Sequence, residues 1–170
     1  MIFKNTLKLT SLLLAVLLVV GCDGLFEDHA SQFHLDDANQ VEWAPPDRSS
    51  GSLSYTATLV ADQAEDKTIT FEVQLIGAQS GSDRVVGVAV SDGDAVEGQD
   101  FEILNSNNEV VIPANSNHGN VDVQILASNI ENGESVSTIL ELQEGPELGV
   151  AVNMKDLSLT IEKEEPENDD

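Results

Sequence analysis

The sequence predicts an all-β fold, a single antiparallel sandwich of about 7–9 strands carried behind a leader and a tether. Three observations predict it. Apolar and polar residues alternate with a period of two through most of residues 53–161, which turns one face of each extended strand toward a core. Gly, Pro, Asn, Asp and Ser residues that favour turns punctuate those runs. No window repeats its apolar residues at the spacing of an amphipathic helix.

Residues 1–21 read as a leader. Lys4 and Lys8 give a positive start, residues 11–20 are almost wholly apolar, and Gly21 supplies a small residue before a cut. Val19-Val20-Gly21-Cys22 resembles the lipobox of bacterial lipoproteins. That resemblance implies that Cys22 becomes the acylated N-terminus, with diacylglycerol on its thiol and palmitate-type chains as the anchor. Cys22 is the only cysteine, so no intrachain disulfide can form, and lipidation accounts for a lone cysteine in an exported chain. An uncleaved anchor helix or a free thiol are the alternatives. Acyl chains contribute about 0.8 kcal/mol per buried CH2 and hold a protein on a membrane without crossing it. Asp23 resembles an inner-membrane retention signal of enteric-type bacteria and equally an acidic surface-export signal of other Gram-negative groups. Outer membrane or cell surface is the favoured address.

Residues 22–38 lack clean periodicity, are rich in acids and read as a lipidated flexible tether. Residues 39–163 form the expected sandwich, and residues 164–170 an acidic, Pro-interrupted disordered tail. The strands follow in order. Residues 41–43 are a first strand. Leu53, Tyr55, Ala57 and Leu59 alternate with Ser54, Thr56 and Thr58. Ile69, Phe71, Val73 and Leu75 alternate with Thr70, Glu72 and Gln74. Residues 85–90 and 110–112 are more continuously apolar and suit central strands. Val121, Val123 and Ile125 alternate again, as do residues 136–142 and Leu157, Leu159 and Ile161.

Charge narrows the function. The chain carries a formal −24, and losing Lys4 and Lys8 with the leader takes it to about −26. Such a chain repels phosphate backbones, so nucleic acid is not an expected partner. Anionic headgroups repel it too, which leaves the lipid as the membrane attachment.

Asp92-Gly93-Asp94-Ala95, Gly98 and Asp100-Phe101 resemble the turn motif of the Calx-beta domain, an immunoglobulin-like sandwich. The resemblance continues through Val110-Val111-Ile112-Pro113, through Val121, Val123 and Ile125, through Glu131 and Glu134, and to Leu159-Thr160-Ile161. Residues 95–101 also resemble small Gram-negative surface lipoproteins with this sandwich, some of them associated with glycan uptake. In calcium-binding members, carboxylates from three loops converge at one end of the domain. Carried over residue by residue, the resemblance implies Asp92, Glu131, Glu164 and Glu165 as calcium ligands. It also departs from that pattern, because Ala127-Ser128-Asn129 replaces an Asp pair and Lys163 stands inside the terminal cluster. Calcium needs six to eight converging oxygens at about 2.3–2.6 Å, so a single weak site is what such a set would supply. The residues admit a second reading without any ion. Gly93 and Gly98 permit tight bends, and Asp92 and Asp94 can bond nearby backbone amides.

Other chemistry has little support. His29 and His34 lie in the tether and His118 in an Asn-rich turn. No Gly-x-Ser-x-Gly elbow or Ser/His/Asp set is present, and acids are too abundant for any chosen pair to mark a glycosidase. Trp43 and Tyr55 lie on core-facing positions of their strands, so a sugar-stacking platform is not apparent, although loops 77–84 and 105–108 offer polar contacts. The expectation is a non-catalytic, lipid-anchored interaction or structural module without a fixed cofactor. A calcium-binding module and an accessory glycan-binding lipoprotein are the alternatives, with a protein or glycan of the envelope as the partner.

Overall fold

The computed structural model describes residues 39–167. Its strands are β1 (Gln40–Trp43), β2 (Ser54–Leu59), β3 (Lys67–Ile76), β4 (Arg84–Gly93), β5 (Phe101–Ile103), β6 (Glu109–Ile112), β7 (His118–Ile125), β8 (Ser135–Gln143), β9 (Gly149–Val150) and β10 (Asp156–Lys163). The helical segments among the described residues are three-residue 3-10 turns. Two five-stranded sheets form, ordered β5-β7-β3-β1-β9 and β2-β10-β8-β4-β6. Odd-numbered strands build one sheet and even-numbered strands the other, so every connection passes between sheets.

The period-two alternation does what it predicts. In β8 and β10 every second residue is buried, and the two inner faces supply the core. Trp43, Leu59, Phe101, Ile112, Ile125, Leu140, Leu157, Leu159 and Ile161 are all fully buried there. In β4, Val86 and Val88 point inward and Val85 and Ala89 are half-buried on the outer face, between β6 and β8. Trp43 lies on β1 but its Nε1 donates across the sandwich to the carbonyls of Leu140 (3.1 Å) and Lys155 (2.8 Å). Phe71 meets Trp43 and Tyr55 edge to face, at ring-centroid separations of 6.4 and 5.4 Å. Such pairs add about 0.5–1.5 kcal/mol beyond burial.

The sandwich is as expected, and its details add to the expectation. Ten strands are present among the described residues where 7–9 were expected, two of them, β5 and β9, only three and two residues long, and β6, expected to be central, lies at the edge of its sheet. Two pairings, β1 with β9 and β2 with β10, are parallel. Arg84, expected in a loop, is instead the buried first residue of β4, with Nη2 on the carbonyl of Ala78 at 3.2 Å.

Candidate functional site: the acidic end of the sandwich

The C-terminal ends of β2, β4 and β10 and the N-terminal end of β8 lie at one end of the second sheet, since Leu59 pairs with Lys163, Glu162 with Ser135 and Gly93 with Thr138. The loops at residues 60–66, 94–100 and 126–134 meet there. Asp62 and Asn132 are joined by two hydrogen bonds, from the Asp62 N–H to Oδ1 of Asn132 (2.9 Å) and from Nδ2 of Asn132 to Oδ1 of Asp62 (2.8 Å). Nδ2 of Asn129 donates to the carbonyl of Gln99 at 2.6 Å.

The acidic turn is built from the end of β4 onward. The register between β4 and β8 shifts between Ser91 and Gly93, which makes Asp92 the extra residue of a β-bulge. Its φ of 45° is left-handed, a conformation that Asp tolerates better than most residues. Gly93 follows at φ 120°, and a Cβ there would lie 2.1 Å from the Ser137 carbonyl oxygen, so no side chain fits. That carbonyl accepts the N–H groups of Asp94 and Ala95, while Oδ1 of Asp94 accepts the Ser137 N–H at 2.7 Å. Asp100 is buried, and its Oδ2 accepts the Val96 N–H at 2.8 Å, closing the turn before Phe101 enters the core. Glu97 accepts from Nδ2 of Asn108. Four carboxylates in eleven residues thus divide into one bulge residue, two backbone acceptors and one loop tie.

The remaining acids at this end follow the same habit. Both oxygens of Asp66 accept hydrogen bonds, one from the Ala127 N–H and one from Nε2 of Gln124. Glu134 turns back to accept the Glu131 N–H at 2.7 Å. Glu165 covers Gly133, where a Cβ would fall 2.4 Å from its Oε1. Asp92, Glu131, Glu164 and Glu165 are all exposed. Asp92 is the penultimate residue of β4 and Glu164 follows β10, with β8 between the two strands, about 10 Å of sheet. No group of three or more His, Cys, Asp or Glu among the described residues is placed to hold a metal ion. The four residues singled out for calcium share an end of the fold but do not form one such group among the described residues.

A basic residue occupies the middle of this acidic end. Lys163 continues the inward register of Leu157, Leu159 and Ile161, so its side chain enters the interior. It is 8% exposed, and Nζ donates to the carbonyls of Gln63 (2.8 Å), Ala127 (3.0 Å) and Ile130 (3.0 Å). The extended alternation could have placed it inside, but nothing in the sequence marks the two loops whose carbonyls receive it.

Comparison with solved structures ranks this sandwich beside two chains in particular. CBD12 from CALX1.2 superposes with a TM-score of 0.51 at 14% identity, over 73% of this chain and 44% of that one. The apo-form Calx CBD1 domain superposes with a TM-score of 0.50 at 16% identity, over 73% of this chain and 96% of that one. The chain has the Calx-beta-like fold. This chain spans less than half of the CBD12 chain and nearly all of CBD1. A structure of unknown function from Bacteroides ovatus matches at 16% identity and a TM-score of 0.48, over 73% of this chain and 46% of that one. No family model matches the sequence, and no curated protein matches it either.

The other candidates are aromatic, histidine and loop residues. Trp43 is buried and Tyr55 half-buried, with its ring on Phe71. His118 is the exposed first residue of β7, beside Asn117. Asn105 ties β6 and β7, its Nδ2 on the Glu109 and Asn120 carbonyls and its Oδ1 on the Asp122 N–H. Cys22, His29 and His34 lie outside the described residues.

Proposed function

We propose that this chain is a lipid-anchored, extracytoplasmic module whose Calx-beta-like sandwich serves an interaction or structural role without catalysis. The observation that supports it best is the use of the acidic-end carboxylates. Asp66, Asp94, Asp100 and Glu134 each accept a backbone N–H, so they act as turn and loop fasteners. The anchoring rests on the apolar run at residues 11–20 and on Gly21-Cys22, with the outer membrane or cell surface as the address. The partner is a protein or glycan of the envelope. The described aromatic residues are buried or half-buried, so a protein partner is favoured over a stacked sugar.

A second reading, a weak calcium-binding module, is favoured by Asp92, whose bulge turns an exposed carboxylate outward at the end of β4. One experiment separates the two. Thermal melts of the chain are run with EDTA, with millimolar calcium and with magnesium at fixed ionic strength. A ligand that binds only the native state must raise the midpoint. Equal small rises with both ions are screening of a strongly acidic surface and support the module without calcium. A calcium-selective rise that Asp92→Asn abolishes replaces it with the calcium reading. Mass measurement of the mature N-terminus, with Cys22→Ser as the control, tests the anchor.

A further inference from the structure

We infer that the ammonium of Lys163 is a built-in cation that organises the loop end of the sandwich, in a cradle of three backbone carbonyls. An ammonium has three N–H donors and no acceptor. The cradle offers one carbonyl to each, from Gln63 in the loop between β2 and β3 and from Ala127 and Ile130 in the loop between β7 and β8. Ala127 and Ile130 are buried, as is the lysine. Their carbonyls face inward, away from water, where an unpaired acceptor is costly.

The surroundings suit a positive charge. Asp66 bonds the N–H of Ala127, one cradle residue, and Glu131 adjoins Ile130, another. Glu164 and Glu165 follow the lysine directly. No carboxylate among the described residues lies within ion-pair distance of Nζ, as the pairs found there involve Arg48 and Lys155. The local requirement is therefore met by carbonyl dipoles, with the acids as an outer negative shell.

A free ion in that cradle would find three oxygens, half of what calcium needs. The lysine arrives on the same chain, so no concentration of a dissolved ion governs its occupancy. Two loops and the end of β10 are thereby fastened at one point. The loop surface at residues 60–66 and 126–134 is presented preformed, independent of divalent ions. This inference goes beyond the role proposed above and holds whether or not the chain is lipid-anchored.

The test is chemical rescue in the detergent-solubilised full-length chain. Lys163→Ala removes the side chain beyond Cβ, and propylammonium restores the missing atoms. The thermal midpoint of Lys163→Ala is expected to fall by roughly 10 °C. Tens of millimolar propylammonium should recover a large part of it, while tetramethylammonium, which has no N–H donor, should recover none at equal ionic strength. A midpoint unchanged by Lys163→Ala overturns the inference, as does equal recovery by both cations. If Lys163→Ala does not fold, nitrogen-15 NMR of the unaltered chain decides. A lysine ammonium signal protected from water exchange, absent in Lys163→Arg, is expected, and its absence in the unaltered chain overturns the inference. Chelation bears separately on the calcium reading, because it leaves the Lys163→Ala comparison unchanged.

Discussion

Replacing Asp100 by Ala distinguishes a folding turn from a ligand loop. Asp100 is 5% exposed, and its Oδ2 accepts the Val96 N–H at 2.8 Å. A hydrogen bond to a charged group contributes about 1.5–3 kcal/mol net. The substitution removes the acceptor and leaves the Val96 N–H to water, since Val96 is 51% exposed; the lower part of that range, about 2 kcal/mol, is expected. For a domain of this size a kilocalorie moves the midpoint by about 3–4 °C, so Asp100→Ala should melt about 6–8 °C lower. Asp92→Asn should stay within about 0.5 kcal/mol of the original, because Asn also tolerates the left-handed φ of 45° at the bulge. The assay is thermal unfolding followed by circular dichroism, with EDTA and with calcium. The reasoning fails if Asp100→Ala melts with the original chain. It fails equally if Asp92→Asn is the damaging change and only in calcium.

Three further outcomes follow from the fold. Trp43→Phe leaves the carbonyls of Leu140 and Lys155 without their Nε1 donor and opens a small void, which should lower urea-unfolding stability by about 2–4 kcal/mol; a variant that unfolds at the original urea midpoint contradicts the cross-sheet role. Gly93→Ala forces a Cβ to 2.1 Å from the Ser137 oxygen, whereas Gly98→Ala meets nothing within 4 Å and incurs only the strain of φ 81°. Expected losses in the same assay are above 2 kcal/mol for the first and about 1 kcal/mol for the second, and a reversed order would refute the geometry. Hydrogen bonds from Lys155 to Glu141 first, and then to Asp156, hold its pKa above the usual 10.5. A raised folded value contributes stability that is present below the unfolded pKa and lost as pH rises through the folded one. Melting midpoints scanned on the alkaline side should therefore fall more steeply above pH 10.5 in the original chain than in Lys155→Met.

The inward positions were legible because alternation fixes which face of a strand is wet. Leu157, Leu159 and Ile161 are buried as the alternation requires. The same register reaches Lys163, where polarity alone argues for the surface and hides the extension. The strands β5 and β9 are too short to alternate, and Phe101 gives only a point of re-entry. The pairing order was not legible at all. A turn between two runs usually signals a hairpin, yet every turn here sends the chain to the opposite sheet. At the acidic end the residue types were visible and their partners were not. Nothing in Asp94 announces the Ser137 amide, 43 residues away.

That alternation between sheets bears on when the molecule can fold. Within the two sheets, the closest paired residues in the chain are Glu141 and Asp156, 15 apart, so no strand pair can form as a local nucleus. The strand β2 pairs only with β10, and β1 reaches its parallel partner at Val150. The strand β2 thus waits for the last strand, whereas β1 also has β3 beside it, and folding belongs to the slow, long-range regime of milliseconds to seconds. Without β10, β2 has no strand beside it and the second sheet ends at β8, so that sheet is completed only by the last strand of the described residues.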